Sequence, residues 1–184
     1  MSLPPLQSHQ YQVEFFTEHY AVSGILEPFG MLSTYLDLTD RSNLQVKQVT
    51  ATALDNDSAV NAFQSSELWM RRDEILALRI LGEDVPGLVQ NLPVHEKLRI
   101  FIPRFVVQGV VLRGTDTKIS DLFEAMKGAW ASVAEARVYP LAALRTPVFR
   151  EAALLLINKR HIRFYEAVKE PAPTPAPAPE TPAA

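Results

Sequence analysis

The sequence predicts a mainly β protein made of two tandem five-stranded modules followed by a disordered C-terminal tail. Three observations predict it: short apolar runs rich in β-branched and aromatic residues, a pattern that recurs about 85 residues later, and a proline-rich end. The chain has 184 residues, of which 47% are hydrophobic and 21% charged, which is a globular composition. That length accommodates one ordinary domain or two small ones.

The repeat is seen when the chain is aligned with itself at an offset of 85 residues. Segment 20–26 (YAVSGIL) then lies over segment 105–111 (FVVQGVV), and a glycine falls inside both, at Gly24 and Gly109. After a two-residue insertion the offset becomes 87 and continues over the rest of the pattern, about 65 residues in all. We interpret this as a duplication, and we call residues that these offsets bring together equivalent.

Both copies are predicted to have the order β-β-α-β-β-β. In the first copy the predicted elements are strands at 13–16 and 20–26, a short helix at 33–38, and strands near 44–54, 64–70 and 74–81. In the second they are strands at 98–102 and 105–111, a helix at 120–127, and strands near 131–139, 150–157 and 161–168. Five short strands with one interposed helix are what a small SH3-, Sm- or OB-like barrel needs.

Local residues support several of these elements. Ser120 as a cap, acids in the first turn and Gly128 just past the end favour the second helix, whereas the first helix has a weaker signal and is predicted as a single turn. A lone glycine inside a strand, as at Gly24 and Gly109, usually marks a bulge or a close backbone approach.

The predicted domain boundaries follow from the repeat. The first barrel repeat occupies 9–84, a packed linker 85–95, the second barrel repeat 96–170, and a Pro/Ala-rich tail 171–184. A module of this size buries only about 60% of its unfolded surface and is marginal alone, so we expect a packed pseudo-symmetric pair, either as separate barrels or with one merged core. The tail is predicted to be disordered and extended, because proline fixes φ and donates no amide hydrogen.

The segments around the two strand glycines resemble a pattern found in a known class of domain. Segments 22–24 and 107–109 each read aliphatic-x-Gly, and they are followed by 32–35 (LSTY) and 119–122 (ISDL). The pattern is similar to small bacterial β-barrel domains in which an aliphatic-x-Gly strand precedes an L-S-D-L turn, and the second copy matches it better. The resemblance covers most of each copy. It implies a fold and no functional residue, because these domains have no established activity.

The composition and the absence of known motifs argue against most kinds of catalytic, cofactor and metal site. There is no cysteine, hence no disulfide, thiolate nucleophile or cysteine-ligated metal. The four histidines form neither HxH nor HExxH, and neither GxGxxG nor GxSxG occurs. Segment 109–114 has the glycine spacing of a phosphate loop, but Thr115 stands where lysine is required, and a calcium-like segment at 55 has Val60 where glycine is required. We predict no enzymatic activity, no cofactor and no metal site.

Targeting and membrane-spanning signals bear on the expected location of the protein. The first residues contain no basic region followed by an apolar run, and the longest apolar stretch, 152–157, has six residues. We therefore expect a cytoplasmic protein without membrane insertion.

The net charge of −3 conceals an asymmetry between the copies. Residues 9–86 contain five Lys and Arg against twelve Asp and Glu, a net −7, whereas residues 87–170 contain thirteen against eight, a net +5. The sign reverses at equivalent positions such as Asp73 and Arg160. Such an asymmetry bears on partners and not on fold.

Three interpretations of the asymmetry stay open. In the first, the acidic copy of one molecule meets the basic copy of the next, a contact that repeats into a ring or a filament. In the second, the basic copy binds nucleic acid, although few aromatic residues accompany its charges. In the third, the charges are solvated, or pair between the copies within one chain.

The candidate interaction residues are basic and lie in, or next to, the turns that join the last two strands of each copy: Lys159, Arg160, Arg163, Arg71 and Arg72. We expect the turn at 158–163 to be a hairpin tip that presents its charge outward. Trp69 is predicted to lie in the core or the seam, because large aromatic residues are seldom left exposed. The predicted function is that of a non-catalytic structural or scaffolding protein acting through protein–protein contacts, with salt-sensitive self-association of its acidic and basic faces. The alternative is a nucleic-acid-binding barrel protein.

Overall fold

The computed structural model describes residues 9–37, 42–82, 88 and 92–168. Within these ranges the protein is mainly β, as predicted, with short helices α1 (Leu32–Asp37) and α2 (Leu122–Ala125) and 3₁₀ turns at Arg72–Glu74, Ile119–Asp121 and Lys159–His161. The strands are β1 (Tyr11–Phe16), β2 (Tyr20–Leu26), β3 (Asn43–Ala53), β4 (Ala62–Arg71), β5 (Ala77–Leu81), β6 (Val94–Ile102), β7 (Phe105–Arg113), β8 (Trp130–Pro140), β9 (Glu151–Asn158) and β10 (Phe164–Ala167).

All ten strands belong to one antiparallel sheet with the order β10-β6-β7-β8-β9-β5-β1-β2-β3-β4. The first half (β1–β5) and the second half (β6–β10) have the same internal order, because β5 pairs with β1 and β10 pairs with β6. The halves join where β5 pairs with β9, with Ala77 opposite Ile157 and Leu78 opposite Leu156. We call this pairing the junction. The two halves therefore share one continuous sheet, and it is open: β10 and β4 are its outermost strands.

The sheet packs around two hydrophobic clusters, one for each half. The cluster of the first half also contains Trp130 and Leu156 from the second half. The cluster of the second half also contains Phe16, Leu54 and Leu76 from the first half. Each half thus completes the core of the other, which provides the burial that a module of this size lacks alone.

A glycine-centred bulge bends the same pair of strands in each half. The register of β2 with β3 shifts beside Gly24, and that of β7 with β8 shifts beside Gly109. A Cβ at Gly24 would lie 2.6 Å from Cγ1 of Val46, and one at Gly109 would lie 2.5 Å from Cγ1 of Val133. Real Cβ atoms do not come this close, so the backbones approach only because glycine is present. This confirms the predicted bulge and close approach.

Neither charged turn is a hairpin tip, so the prediction made for the turn at 158–163 is wrong. After β4 the chain passes through the turn Arg72–Glu74 into β5, which pairs with β1 and β9 and not with β4. After β9 it passes through Lys159–His161 into β10, which pairs with β6. Each 3₁₀ turn redirects the chain across its half. A short charged break looks the same in sequence in both arrangements.

The helices also differ from expectation. Ser120 does not cap α2, since it lies in the preceding 3₁₀ turn, where its hydroxyl donates to Oδ1 of Asp121 at 2.7 Å. The helix α1, for which the sequence signal was weaker, has six residues against four in α2. Apolar burial of Leu32 and Leu36 in the first core stabilises α1, and such tertiary packing outweighs local capping in short helices.

Two predicted segments fall largely or wholly outside the described residues. The tail at 171–184 lies wholly outside them, and so does most of the linker. Within the linker, Leu88 is buried and its carbonyl accepts a hydrogen bond from Oγ of Ser132 at 2.6 Å. Among the residues that the structure describes, no helix has the length and apolar character needed to cross a membrane.

Candidate protein–protein interface

Two of the predicted interaction residues hold helix ends inside the fold. The guanidinium of Arg72 donates to the carbonyl of Leu36, at the end of α1, at 2.6 Å. Its equivalent, Lys159, donates from Nζ to the carbonyls of Phe123 and Met126 at 3.2 and 2.7 Å. Burial lowers the pKa of Lys159 below the ordinary lysine value. Both cations therefore satisfy carbonyls that a short helix leaves unpaired.

Two more of the predicted residues surround Asp73 beside the junction. Arg71 Nη2 lies 2.5 Å from Oδ2 of Asp73, and Arg160 Nη1 lies 3.8 Å from the same oxygen. His161 Nε2 lies 2.7 Å from the carbonyl oxygen of Asp73. The hydrogen bond from Arg71 lowers the pKa of the Asp73 carboxyl. Of the five predicted residues, only Arg163 stands apart, since it is exposed just before β10.

Some of the opposite charge of the halves is used within the chain. Arg160 and Asp73 join the basic half to the acidic half, and Arg104 Nη1 lies 2.5 Å from Oδ1 of Asp55. His19 also hydrogen bonds to Asp55, at 3.1 Å from Nδ1 to Oδ2. These pairs agree with the interpretation that the copies pair inside one chain. The two ion pairs, however, involve only two of the acidic residues of the first half and two of the basic residues of the second half.

The sheet has two open edges, which we define as the outer sides of β4 and β10. In the described part of the chain, β4 pairs only with β3, and β10 pairs only with β6. The edge strand β4 is ten residues long and exposes Phe63 and Trp69, and β10 exposes Phe164. A long open edge with apolar side chains is a template for the addition of another strand.

Trp69 is therefore not where the sequence predicted it. Its side chain is 61% exposed on the open edge instead of buried in a core or seam. The equivalent of Trp69 is Leu156, which is 2% exposed because it lies on β9, inside the junction. The general tendency of tryptophan to be buried does not apply to a strand that has only one neighbour.

The second open edge shows the same contrast. Phe164 is 60% exposed at the start of β10, and its equivalent, Ala77, is 1% exposed on β5. The junction thus buries the same two positions that both open edges expose. Sequence reasoning missed these exposed edge positions, although the offset of 87 residues already placed Trp69 over Leu156 and Phe164 over Ala77.

The described residues were compared with the requirements of a metal site. No group of three or more His, Asp or Glu within these ranges is placed to hold a metal ion. Compared with protein-family models, with curated proteins and with solved structures, the chain shows no match.

Proposed function

We propose that this protein is a non-catalytic scaffolding protein that acts through protein–protein contacts and self-associates through its open edges. The observation that carries this proposal is the pair of exposed aromatic side chains, Trp69 and Phe164, on two strands that each lack an outer neighbour among the described residues. Monomeric proteins usually blunt such edges with proline, lysine or a covering segment, and β4 contains neither proline nor lysine.

The two open edges belong to halves of opposite net charge. The strand β4 belongs to the half with net −7, and β10 belongs to the half with net +5. Opposed potentials speed encounter and fix orientation more than they add affinity, and they act over about 10 Å at 0.1 M salt. We therefore assign most of the affinity to the apolar edges, and to the charge the orientation and a smaller part of the affinity that depends on salt.

We interpret the two halves as a duplicated unit, each curled as a small barrel-like module. The common strand order supports this, as do the equivalent close approaches at Gly24 and Gly109. Bulges of this kind increase local twist and bend the strand that carries them. A duplicated unit with one internal contact already contains the two surfaces needed to repeat that contact between molecules.

Nucleic-acid binding through the basic half stays a prediction without a specific observation in its favour. Lys159 donates to two helix carbonyls, and Arg160 lies beside Asp73. These cations are therefore committed at least in part within the fold, and a phosphate backbone would have to compete for them.

Molar mass measured by light scattering at about 50 mM and 500 mM salt tests the proposal. We expect a mass above the 20.6 kDa monomer at low salt, and a lower mass at high salt, because screening weakens the attraction between halves. The monomer mass at both salt concentrations, with protein up to about 1 mM, where even contacts worth only about 4 kcal/mol are populated, contradicts the proposal.

A further inference from the structure

We propose that the partner of each open edge is a second copy of this chain, and that β4 of one copy pairs with β10 of the next in the register already used at the junction. This inference rests on the proposed function and gives it a definite geometry. The junction provides its template, because it joins β9 to β5, and these are the equivalents of β4 and β10.

The register follows from the equivalence. At the junction Leu78 lies opposite Leu156. Their equivalents, 87 residues away, are Tyr165 on β10 and Trp69 on β4. The proposed contact therefore places Trp69 of one copy opposite Tyr165 of the next. Aromatic pairs that face each other across antiparallel strands are among the favourable cross-strand pairs.

The neighbouring pair gives the same result on the other face of the sheet. Ala77 lies opposite Ile157 at the junction, and the equivalents are Phe164 and Met70. All of these positions are apolar. Their burial is complete or nearly so at the junction, whereas Trp69 and Phe164 are mostly exposed at the edges.

The junction also shows where the exposed aromatic side chains would go. Leu156 of the second half enters the core cluster of the first half, and Ala77 of the first half enters the cluster of the second. By equivalence, Trp69 would enter the second-half cluster of the neighbouring copy, beside Tyr165, which already packs against that cluster. Phe164 would enter the first-half cluster of the other neighbour, beside Met70.

One position of the open edge departs from the template. At the junction the backbone N–H of Asn158 donates to the carbonyl oxygen of Leu76, with 3.0 Å between nitrogen and oxygen. The equivalent pair is Arg71 and Arg163, which have like charge. Asp73 binds the Arg71 guanidinium and offsets this charge. The contact is therefore expected to be weaker than the junction, and Arg71 is expected to limit its strength.

The contact is heterologous, since each copy offers β4 at one end and β10 at the other. Repetition of a heterologous contact gives a closed ring when the rotation closes and a filament when it does not. Both assemblies contain the same strand pairing, so the pairing is what the experiment measures.

Cysteine crosslinking tests the register, because the chain contains no cysteine of its own. Leu68→Cys and Glu166→Cys are placed on separate chains, which are mixed and oxidised. In the proposed register these residues lie opposite each other, at a Cα separation of about 4.5–5.5 Å, within the range of a disulfide. Both substitutions leave Trp69 and Phe164 in place. We expect a disulfide-linked pair of chains in the mixture and in neither variant alone.

The matched control is Ser66→Cys mixed with Glu166→Cys, which is two residues, or roughly 7 Å, out of register. A crosslink at least as strong in this control, or in Leu68→Cys alone, overturns the inference, the latter because it reports β4 paired with β4. The molar mass of each reduced variant is measured in parallel. A mass above the monomer without the in-register crosslink overturns the inference and leaves the proposed function standing, whereas a monomer mass overturns both.

A second pair of variants tests the same edge without crosslinking. Trp69→Lys should return the assembly to the 20.6 kDa monomer, because it removes the side chain proposed to enter the neighbouring core. Leu141→Lys is the control, since Leu141 has the same exposed fraction, 61%, and lies after β8, away from both open edges. Equal loss of mass in both variants contradicts the proposed register.

Discussion

Gln48 and Glu135 lie 87 residues apart, and both are non-glycine residues with positive φ, at 49° and 50°. Each lies in the bulge where its strand passes the glycine of the preceding strand, Gly24 or Gly109. This left-handed conformation costs roughly 1–2 kcal/mol in a residue with a Cβ. The same strained conformation at equivalent residues of β3 and β8 indicates that each half requires the bulge at this position.

The close approach at Gly109 gives a stability prediction. Gly109→Ala should lower the free energy of unfolding by about 1–3 kcal/mol, because the new Cβ would lie 2.5 Å from Cγ1 of Val133 and 2.7 Å from the carbonyl oxygen of Ala134. Denaturant unfolding measures the change. In the control, Gly114→Ala, the nearest atom to the new Cβ beyond the adjacent residues would be Oγ1 of Thr117 at 3.5 Å, and a change within about 0.5 kcal/mol is expected. Similar losses in the two variants would show that the bulge glycine has no special role.

Asn158 links the two halves at the junction. Its side-chain Nδ2 donates to the carbonyls of Arg72 and Ile75, both at 3.1 Å. Asn158→Leu should therefore cost about 1–3 kcal/mol of unfolding free energy, since it removes both of these hydrogen bonds between the halves. Thermal or urea unfolding measures the loss. The control is Asn43→Leu, an exposed asparagine at the start of β3, for which a small change is expected.

Lys159 and Arg160 should behave differently although they are adjacent. Lys159→Met removes two hydrogen bonds to helix carbonyls and should lower the unfolding free energy by about 1–3 kcal/mol. Arg160→Met changes an exposed side chain whose nearest acid is 3.8 Å away, and a change within about 0.5 kcal/mol is expected. Urea unfolding of both variants measures the difference. A larger loss for Arg160→Met would contradict the assignment of Lys159 to the fold.

Asp55 should contribute to stability in a pH-dependent way. His19 and Arg104 hold the pKa of the Asp55 carboxyl below its ordinary value. A folded-state pKa below the unfolded value of about 3.9 gives stability that is present above that pH and is lost as the pH falls through the folded pKa. The difference in urea midpoint between the native protein and Asp55→Asn should therefore be largest near neutral pH and shrink below about pH 4.

Asp57→Asn is the control for this measurement, because Asp57 is an exposed acid of the same loop. If the native protein and Asp55→Asn differ by a constant amount from pH 7 to about pH 2, the carboxyl does not titrate with the shift assigned to it.

Arg71 should limit self-association. Arg71→Asn copies the residue found at the junction and removes the like charge opposite Arg163 in the proposed register. Association should strengthen by up to about fivefold, which corresponds to the 0.2–1 kcal/mol typical of a cross-strand pair. Sedimentation velocity over a dilution series measures the dissociation constant. Arg137→Asn is the control, since Arg137 is also exposed and paired with an acid, Glu151, but lies on the interior strand β8. Weaker association of Arg71→Asn would speak against this register.

The strands were predictable because the relevant information is local. The predicted strands near 44–54 and 131–139 are observed as β3 and β8, at Asn43–Ala53 and Trp130–Pro140. Alternation of apolar residues and the position of a lone glycine act over a few residues, so they can be read along the chain. The charged turns were not predictable, because a tight charged break serves a hairpin and a 3₁₀ connection equally well.

Only part of the candidate interface could be predicted from the sequence. The charge asymmetry pointed to contacts between the halves, and two of the chosen turn residues, Arg71 and Arg160, do meet at Asp73 beside the junction. The aromatic residues of the open edges were not chosen, because their exposure depends on which strands are neighbours in the sheet, and distant parts of the chain decide that pairing.

The mainly β character of the protein, the positions of the bulge glycines and the opposite charge of the two halves are all local or compositional properties, and they follow from the amino-acid sequence alone. The placement of β9 and β5 inside the joined sheet, and of β4 and β10 at its edges, depends on how the two halves pack together. Leu156 and Trp69 are both apolar residues of equivalent strands, and what separates a buried side chain from an exposed one here is a neighbouring strand supplied by a distant part of the chain.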